Sequence, residues 1–105
     1  METIGKLMIG KPCIVRANIA GVHAGIVVDI DRTTVVLKNA YRLWRFYTRD
    51  KTGSISDIAV NGLKEDAQHM IGAELPSVLI ENPNGLEIAE MTKQAYESLS
   101  NWKNK

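Results

Sequence analysis

The densest chemistry in this chain lies in residues 38–51, KNAYRLWRFYTRDK. The stretch holds five of the thirteen basic residues and four aromatics, Tyr41, Trp44, Phe46 and Tyr47. Arginine forks pair with phosphate oxygens, and flat rings stack on nucleobases for roughly 1–3 kcal/mol each. Basic groups interleaved with aromatics therefore suit ligands that carry both phosphates and bases. The same residues also suit a small core, with Trp44 and Phe46 inside and the arginines solvating its rim. Read as a strand, the segment puts Tyr41, Leu43, Arg45 and Tyr47 on one face and Arg42, Trp44 and Phe46 on the other. Neither face is purely apolar, so simple core is an incomplete description.

A second concentration is Ala20 to Gly25, AGVHAG. Two glycines let backbone N–H groups come close to a ligand, and His23 can donate to a phosphate or stack on a base. The competing reading is a strand-entry bend with a structural histidine. Enzyme chemistry finds less support. Ser54, Cys13, His23 and Asp29 could be drawn into a triad, but no G-x-S-x-G stands behind them, and Cys13 beside Ile14 reads as a buried structural thiol. There is no phosphate loop and no G-x-G-x-x-G. A single cysteine forbids an internal disulfide and every C-x-x-C pattern, and His23 and His69 are too far apart for zinc-ligand spacing. The expectation is a binding protein without catalytic residues, metal or cofactor.

The elements that must position these residues are short. Cys13–Ala17 reads as a strand after Pro12, and Asn18 to Gly21 as a turn. His23–Ile30 reads as a second strand with Gly25 as a bulge or close-approach point, Asp31-Arg32 as a hairpin turn and Thr33–Lys38 as a third strand. Beyond Asn39 the chain either continues that strand or turns into a new one. Residues 48–53 form a polar loop. Ser54 caps a short helix that stops at Gly62, with Asp57 in its first turn and Ile55, Ile58 and Ala59 on its buried face. Residues 64–70 look irregular. Val78–Ile80 is a strand, Asn82 to Gly85 the strongest turn signal, and Leu86–Met91 another strand. Thr92 caps a last helix to about Trp102, with Ala95, Leu99 and Trp102 on one face. These elements predict a single domain over 1–105 of α+β class: a small, mostly antiparallel sheet, a meander at its centre, with two short helices.

Composition is that of an ordinary globular domain, 45% hydrophobic and 24% charged over 105 residues. The net charge of +1 conceals an asymmetry: residues 1–53 carry +5, residues 54–91 carry −6, and the remainder +2. A basic segment of this kind is brought to an anion or to an acidic patch on another subunit, unless folding mixes the two signs. No apolar run approaches the roughly 20 residues of a membrane helix, and the N-terminus does not read as a signal peptide, so a soluble intracellular protein is expected.

The order IVR, AGVHAG, VVLKNAYRLWRFY, SISDIAVNGL and GLEIAEMT, over residues 13–91, resembles a widespread family of small phage proteins long described as a domain of unknown function. Members of that family read as a strand ending IVR, a GVHxG loop, a V-x-L-x-x-A-R-R-x-W strand and an S-L-S-x-L-A-x-x-G helix. The family includes sponge proteins directed against cyclic-oligonucleotide (CBASS) defence. The resemblance implies a homotetramer with pockets between subunits, acting in the host bacterial cytoplasm during phage infection. It would sequester a cyclic dinucleotide, such as cyclic GMP–AMP, without cleaving it, and would engage neither membrane nor long nucleic acid. Arg16, His23, Arg42 and Trp44 match family positions; Asn18, Tyr41 and Arg45 join them on chemistry alone. Tyr41 departs from a paired-basic position, Arg45 stands where an aromatic is usual, and the loop after Tyr47 looks longer. These departures bear on which cyclic nucleotide is preferred. Two other functions fit the same stripe: a single-stranded nucleic-acid module, against which the sequence pI near 7.9 argues, and a phage structural or interaction protein with an aromatic hot spot at 41–47.

Overall fold

The computed structural model describes residues 4–18, 20–48, 54–65 and 67–103. A short 3-10 turn, Ile4–Met8, leads into β1 (Pro12–Ala17), β2 (Gly21–Ile30) and β3 (Thr34–Arg45). Then follow α1 (Ile55–Asn61), β4 (Met70–Ile71), β5 (Leu75–Glu81), β6 (Glu87–Glu90) and α2 (Lys93–Lys103). All pairings are antiparallel, in the order β4-β3-β2-β1-β6, with β5 also paired to β3. The fold is thus the α+β domain that the sequence predicts, a meander of β1 to β3 extended at both edges. Most of the expected loop after Tyr47, residues 49–53, lies outside the described residues, as does Ile19 of the first turn.

Strand β3 runs through Asn39 rather than ending there. Asn39 has a φ of +50°, and the β2–β3 register shifts at this point, between Tyr41 opposite Ala24 and Lys38 opposite Ile26. Asparagine tolerates the left-handed region better than most residues, so it accommodates the extra residue of a bulge. The twelve-residue strand therefore bends without breaking and reaches two partners along one edge, β5 from Thr34 to Ala40 and β4 from Leu43 to Arg45. Pro76 sits inside β5, longer than the predicted Val78–Ile80 strand. An edge strand tolerates a residue that lacks an N–H. Gly25 is a close-approach point rather than the bulge itself: a Cβ there would lie 3.0 Å from the Cβ atoms of Ala40 and Leu37.

Alternation along the strands feeds two clusters. On one side Ile14, Ala24, Tyr41 and Leu43 pack under the helices with Ile58, Ala59, Ala95 and Leu99. On the other side Cys13, Val15, Val27, Val35 and Leu37 cluster with Ile80 of β5, while Leu86 and Ile88 pack against them. Residues at both ends of the sheet thus share one core, and the sheet curls around it. The helices begin where the sequence indicates. The Ser54 hydroxyl accepts the Asp57 N–H at 3.0 Å, and Thr92 Oγ1 accepts the Ala95 N–H at 3.0 Å. Thr92 also donates to the Val60 carbonyl at 2.9 Å, tying the start of α2 to α1. The described residues among 64–70 are irregular except for Met70, which pairs with Arg45. Replacing Thr92 by Ala removes both the cap and the tie, and should cost about 1–2 kcal/mol in urea unfolding with an unchanged native spectrum. Stability equal to the parent's would contradict this account of how the helices are held.

Candidate ligand-binding site

The part of β3 that follows the bulge sorts its side chains by face. Tyr41 and Leu43 turn toward the helices and are buried. Arg42 and Trp44 emerge on the opposite side, where the Arg42 Cζ lies 3.7 Å from the centroid of the Trp44 ring. Trp44 is 62% exposed. The guanidinium covers one face of the ring by a cation–π contact worth roughly 0.5–1 kcal/mol, and a ring so exposed is open to stacking. Among the described residues no carboxylate pairs with Arg42. Its charge is therefore available to an anion.

Two glycines lie against this residue, and one of them makes room for its side chain. Gly21, the first residue of β2, has a φ of +82°, and a Cβ there would stand 3.3 Å from Arg42 Nη2. Gly72, just after β4, donates its N–H to the Arg42 carbonyl at 2.8 Å and so fixes the backbone from which the arginine projects. The glycine at the head of AGVHAG thus serves the arginine side chain.

His23 is the cross-strand partner of Arg42. It is 5% exposed, and its Nδ1 is fully buried with no hydrogen-bond partner. Burial, and secondarily the neighbouring Arg42 charge, hold its pKa below the ordinary 6.5, so the ring is neutral at pH 7. A buried polar atom left unsatisfied costs on the order of 1–3 kcal/mol, and such atoms are few in folded proteins. The molecule therefore carries an unpaired cation, an uncovered ring face and an unmatched imidazole nitrogen on adjoining positions of two strands.

Next to Gly21 opens a shallow groove of about 720 Å³ between the β1–β2 and β5–β6 turns. Arg16, Asn18, Asn84 and Glu87 are among its lining residues. Arg16 reaches Glu87 Oε1 at 2.7 Å, both side chains being more than half exposed. Its charge thus arrives already matched, and a phosphate would have to share it.

Of the predicted site residues, the structure brings Arg42, Trp44 and His23 together and sets Arg16 and Asn18 in the adjoining groove. Tyr41 does not join them. It is 4% exposed on the helix side, donates to Glu74 at 2.6 Å, and meets Tyr96 edge to face. Its position in a buried stripe follows from the alternation that exposes Trp44. Arg45 is exposed at the end of β3. Sequence reading missed Gly72, Glu87 and the asparagines of the β5–β6 turn, because sheet pairing and not chain proximity brings them to the site. Cys13 is fully buried, and its thiol is pushed up to about 11, first by burial and then by Glu90. It is no thiolate at neutral pH.

Fold and site together define a small α+β domain with an exposed cationic and aromatic platform on its central strand. The chain belongs to the family described as domain of unknown function DUF6948, whose model matches residues 10–99 and so spans every residue of the platform. No curated protein and no solved structure matches it significantly.

Two outcomes follow. Because Trp44 is exposed, Trp44→Ala should unfold within about 1 kcal/mol of the parent; a loss of about 3–5 kcal/mol would show that the ring is core after all. The unfolded chain protonates His23 near pH 6.5 while the folded chain resists it. The contribution of neutral His23 is therefore complete above pH 6.5 and is lost as pH falls toward the lowered folded value. Urea unfolding from pH 7 to pH 5 should show this decline, and His23→Asn should flatten it. An equal decline in the variant would remove His23 as its source.

Proposed function

We propose that the protein is a sponge that binds a cyclic dinucleotide, of the cyclic GMP–AMP type, and holds it without turnover. The observation that carries this reading is the unpaired Arg42 guanidinium stacked at 3.7 Å on an exposed Trp44. An arginine offers a fork to a phosphodiester oxygen, and an indole offers a face to a base; a cyclic dinucleotide presents both within one small anion. His23 lies behind them, buried and neutral, with its Nδ1 unmatched. The resemblance of the IVR, GVHxG and R-x-W elements to sponge proteins of phages supports the same ligand, and with it a role against CBASS defence in the infected bacterial cytoplasm.

The reading includes more than one subunit. A ligand of this size normally has most of its surface covered. The groove beside Arg42 is open, so a second copy supplies the missing wall, in keeping with a homotetramer and pockets between subunits. Retention without cleavage accords with a Cys13 thiol that is buried and protonated.

Titration calorimetry with cyclic GMP–AMP tests the assignment. The parent should bind, and at about 100 times the dissociation constant the ligand should add roughly 2.7 kcal/mol of stability. Heating the complex should return intact nucleotide on chromatography. Trp44→Ala should weaken binding by about 5- to 200-fold with little dependence on salt, the equivalent of one lost stacking contact. Arg42→Ala should weaken binding and also flatten its salt dependence, since the screened charge is gone. Tighter binding of a single-stranded oligonucleotide than of any cyclic dinucleotide, or recovery of hydrolysed product, would contradict the proposal.

A further inference from the structure

Helices α1 and α2 cover only part of their face of the sheet. Beyond them β2, β3 and β5 present a bare region whose rows are set by the register. Thr34 lies opposite Glu81, Val36 opposite Leu79 and Asp29, and Lys38 opposite Ser77 and Ile26. Val35 and Leu37 point the other way and are fully buried in the second cluster. Alternation therefore turns Val36 and Lys38 outward on the helix side. Leu79 is 63% exposed, and Val36 and Ile26 are half-buried.

Charge is arranged along this region with a direction. Lys38 stands at one end of the apolar middle and Glu81 at the other, and neither has an ion-pair partner among the described residues. Glu81 only accepts a long hydrogen bond from the Thr34 hydroxyl, at 3.4 Å. Asp29, on the β2 side of the middle row, is met by Lys6 at 3.5 Å. A surface that is apolar at Val36 and Leu79, basic at one end and acidic at the other is complementary to itself when turned over, the Asp29 charge at its edge being matched within each copy by Lys6.

We propose that this bare half of the sheet is a self-association face, and that its occupant is a second copy of the chain. The two copies are related by a two-fold axis that crosses the strands at the level of Val36 and Leu79. Such an axis reverses strand direction. It stacks the two Val36–Leu79 rows and sets Lys38 of each copy beside Glu81 of the other, neighbouring strands being about 4.8 Å apart. Face-packed sheets sit about 10 Å apart, a gap that lysine and glutamate side chains span together. The region covers about 14 by 17 Å, well below a standard interface, so the dimer should be weak, dissociating in the micromolar range. The inference needs no ligand and stands apart from the nucleotide reading, although this joint could serve as one of those in the proposed tetramer.

Sedimentation velocity on the full chain without nucleotide, from about 1 to 500 μM, tests it. The parent should shift from monomer toward dimer across this range. Leu79→Lys should weaken association at least tenfold. Lys38→Glu and Glu81→Lys should each weaken it, and the two together should restore it, because the pairing is reversed but kept. All three positions lie on the surface, and circular dichroism should show a native fold in every variant. A parent that stays monomeric throughout would overturn the proposal. So would an oligomer indifferent to Leu79→Lys, and a loss on the single charge reversals that the double reversal does not repair would overturn the two-fold arrangement.

Discussion

The bulge at Asn39 in β3 is the constraint on which the rest of the molecule depends. One extra residue lets a twelve-residue strand bend, pair with β5 as far as Ala40 and with β4 beyond it, and keep β2 along its other edge. It also sets the phase of the alternation that follows. Tyr41 and Leu43 fall into the helix-covered core, which obliges Arg42 and Trp44 to leave on the opposite side. The Tyr96 hydroxyl donates to the Asn39 carbonyl, so α2 itself holds the bend from outside the sheet. A shift of one residue here would bury a guanidinium and expose a tyrosine, and the cost of burying an unpaired charge makes that exchange prohibitive. Phase, core and platform are therefore one decision.

Charge separation along the chain has a related structural meaning. Part of the excess positive charge of the first half is matched across strands: Arg16 meets Glu87 and Lys11 meets Glu90, both on the β1–β6 seam. Among the described residues without an ion pair, Arg42 lies beside a buried, neutral imidazole, and Lys38 and Glu81 stand at opposite ends of a bare sheet face. Exposed pairs contribute little to stability, so the informative charges are those without partners. Only His23 Nδ1 has been stripped of water by folding itself; the exposed charges give up hydration on association, so what they contribute is selectivity for an oppositely charged partner.

Local signals made much of this fold legible. The Ser54 and Thr92 caps, the stop at Gly62 and the turn at Asn82 to Gly85 each depend on neighbours a few residues away, and each lies where its residue type requires. Strand β3 was ambiguous because the sequence near Asn39 is compatible both with a turn and with a bulge; pairing with strands far along the chain decides between them. Pro76 concealed the start of β5 for the same reason, since only its position at the sheet edge makes a proline acceptable there. At the platform, residue types indicated Arg42, Trp44 and His23, but could not say whether Trp44 was core or surface. That depended on which face the helices cover. Tyr41 was drawn in by its chemistry and excluded by its phase, and Glu87 was invisible because the strand that carries it lies some seventy residues along the chain from its partner Arg16.

Tryptophan emission tests the central claim most directly. With Trp102 replaced by Phe, Trp44 is the only indole in the chain. Titration with cyclic GMP–AMP should then produce a saturable change in Trp44 emission as a base covers its open face, and the change should disappear in Arg42→Ala at the same ligand concentration. Emission that does not respond while calorimetry on the same variant reports binding would place the ligand elsewhere. Emission and heat that are both silent would contradict cyclic-dinucleotide capture by this platform altogether.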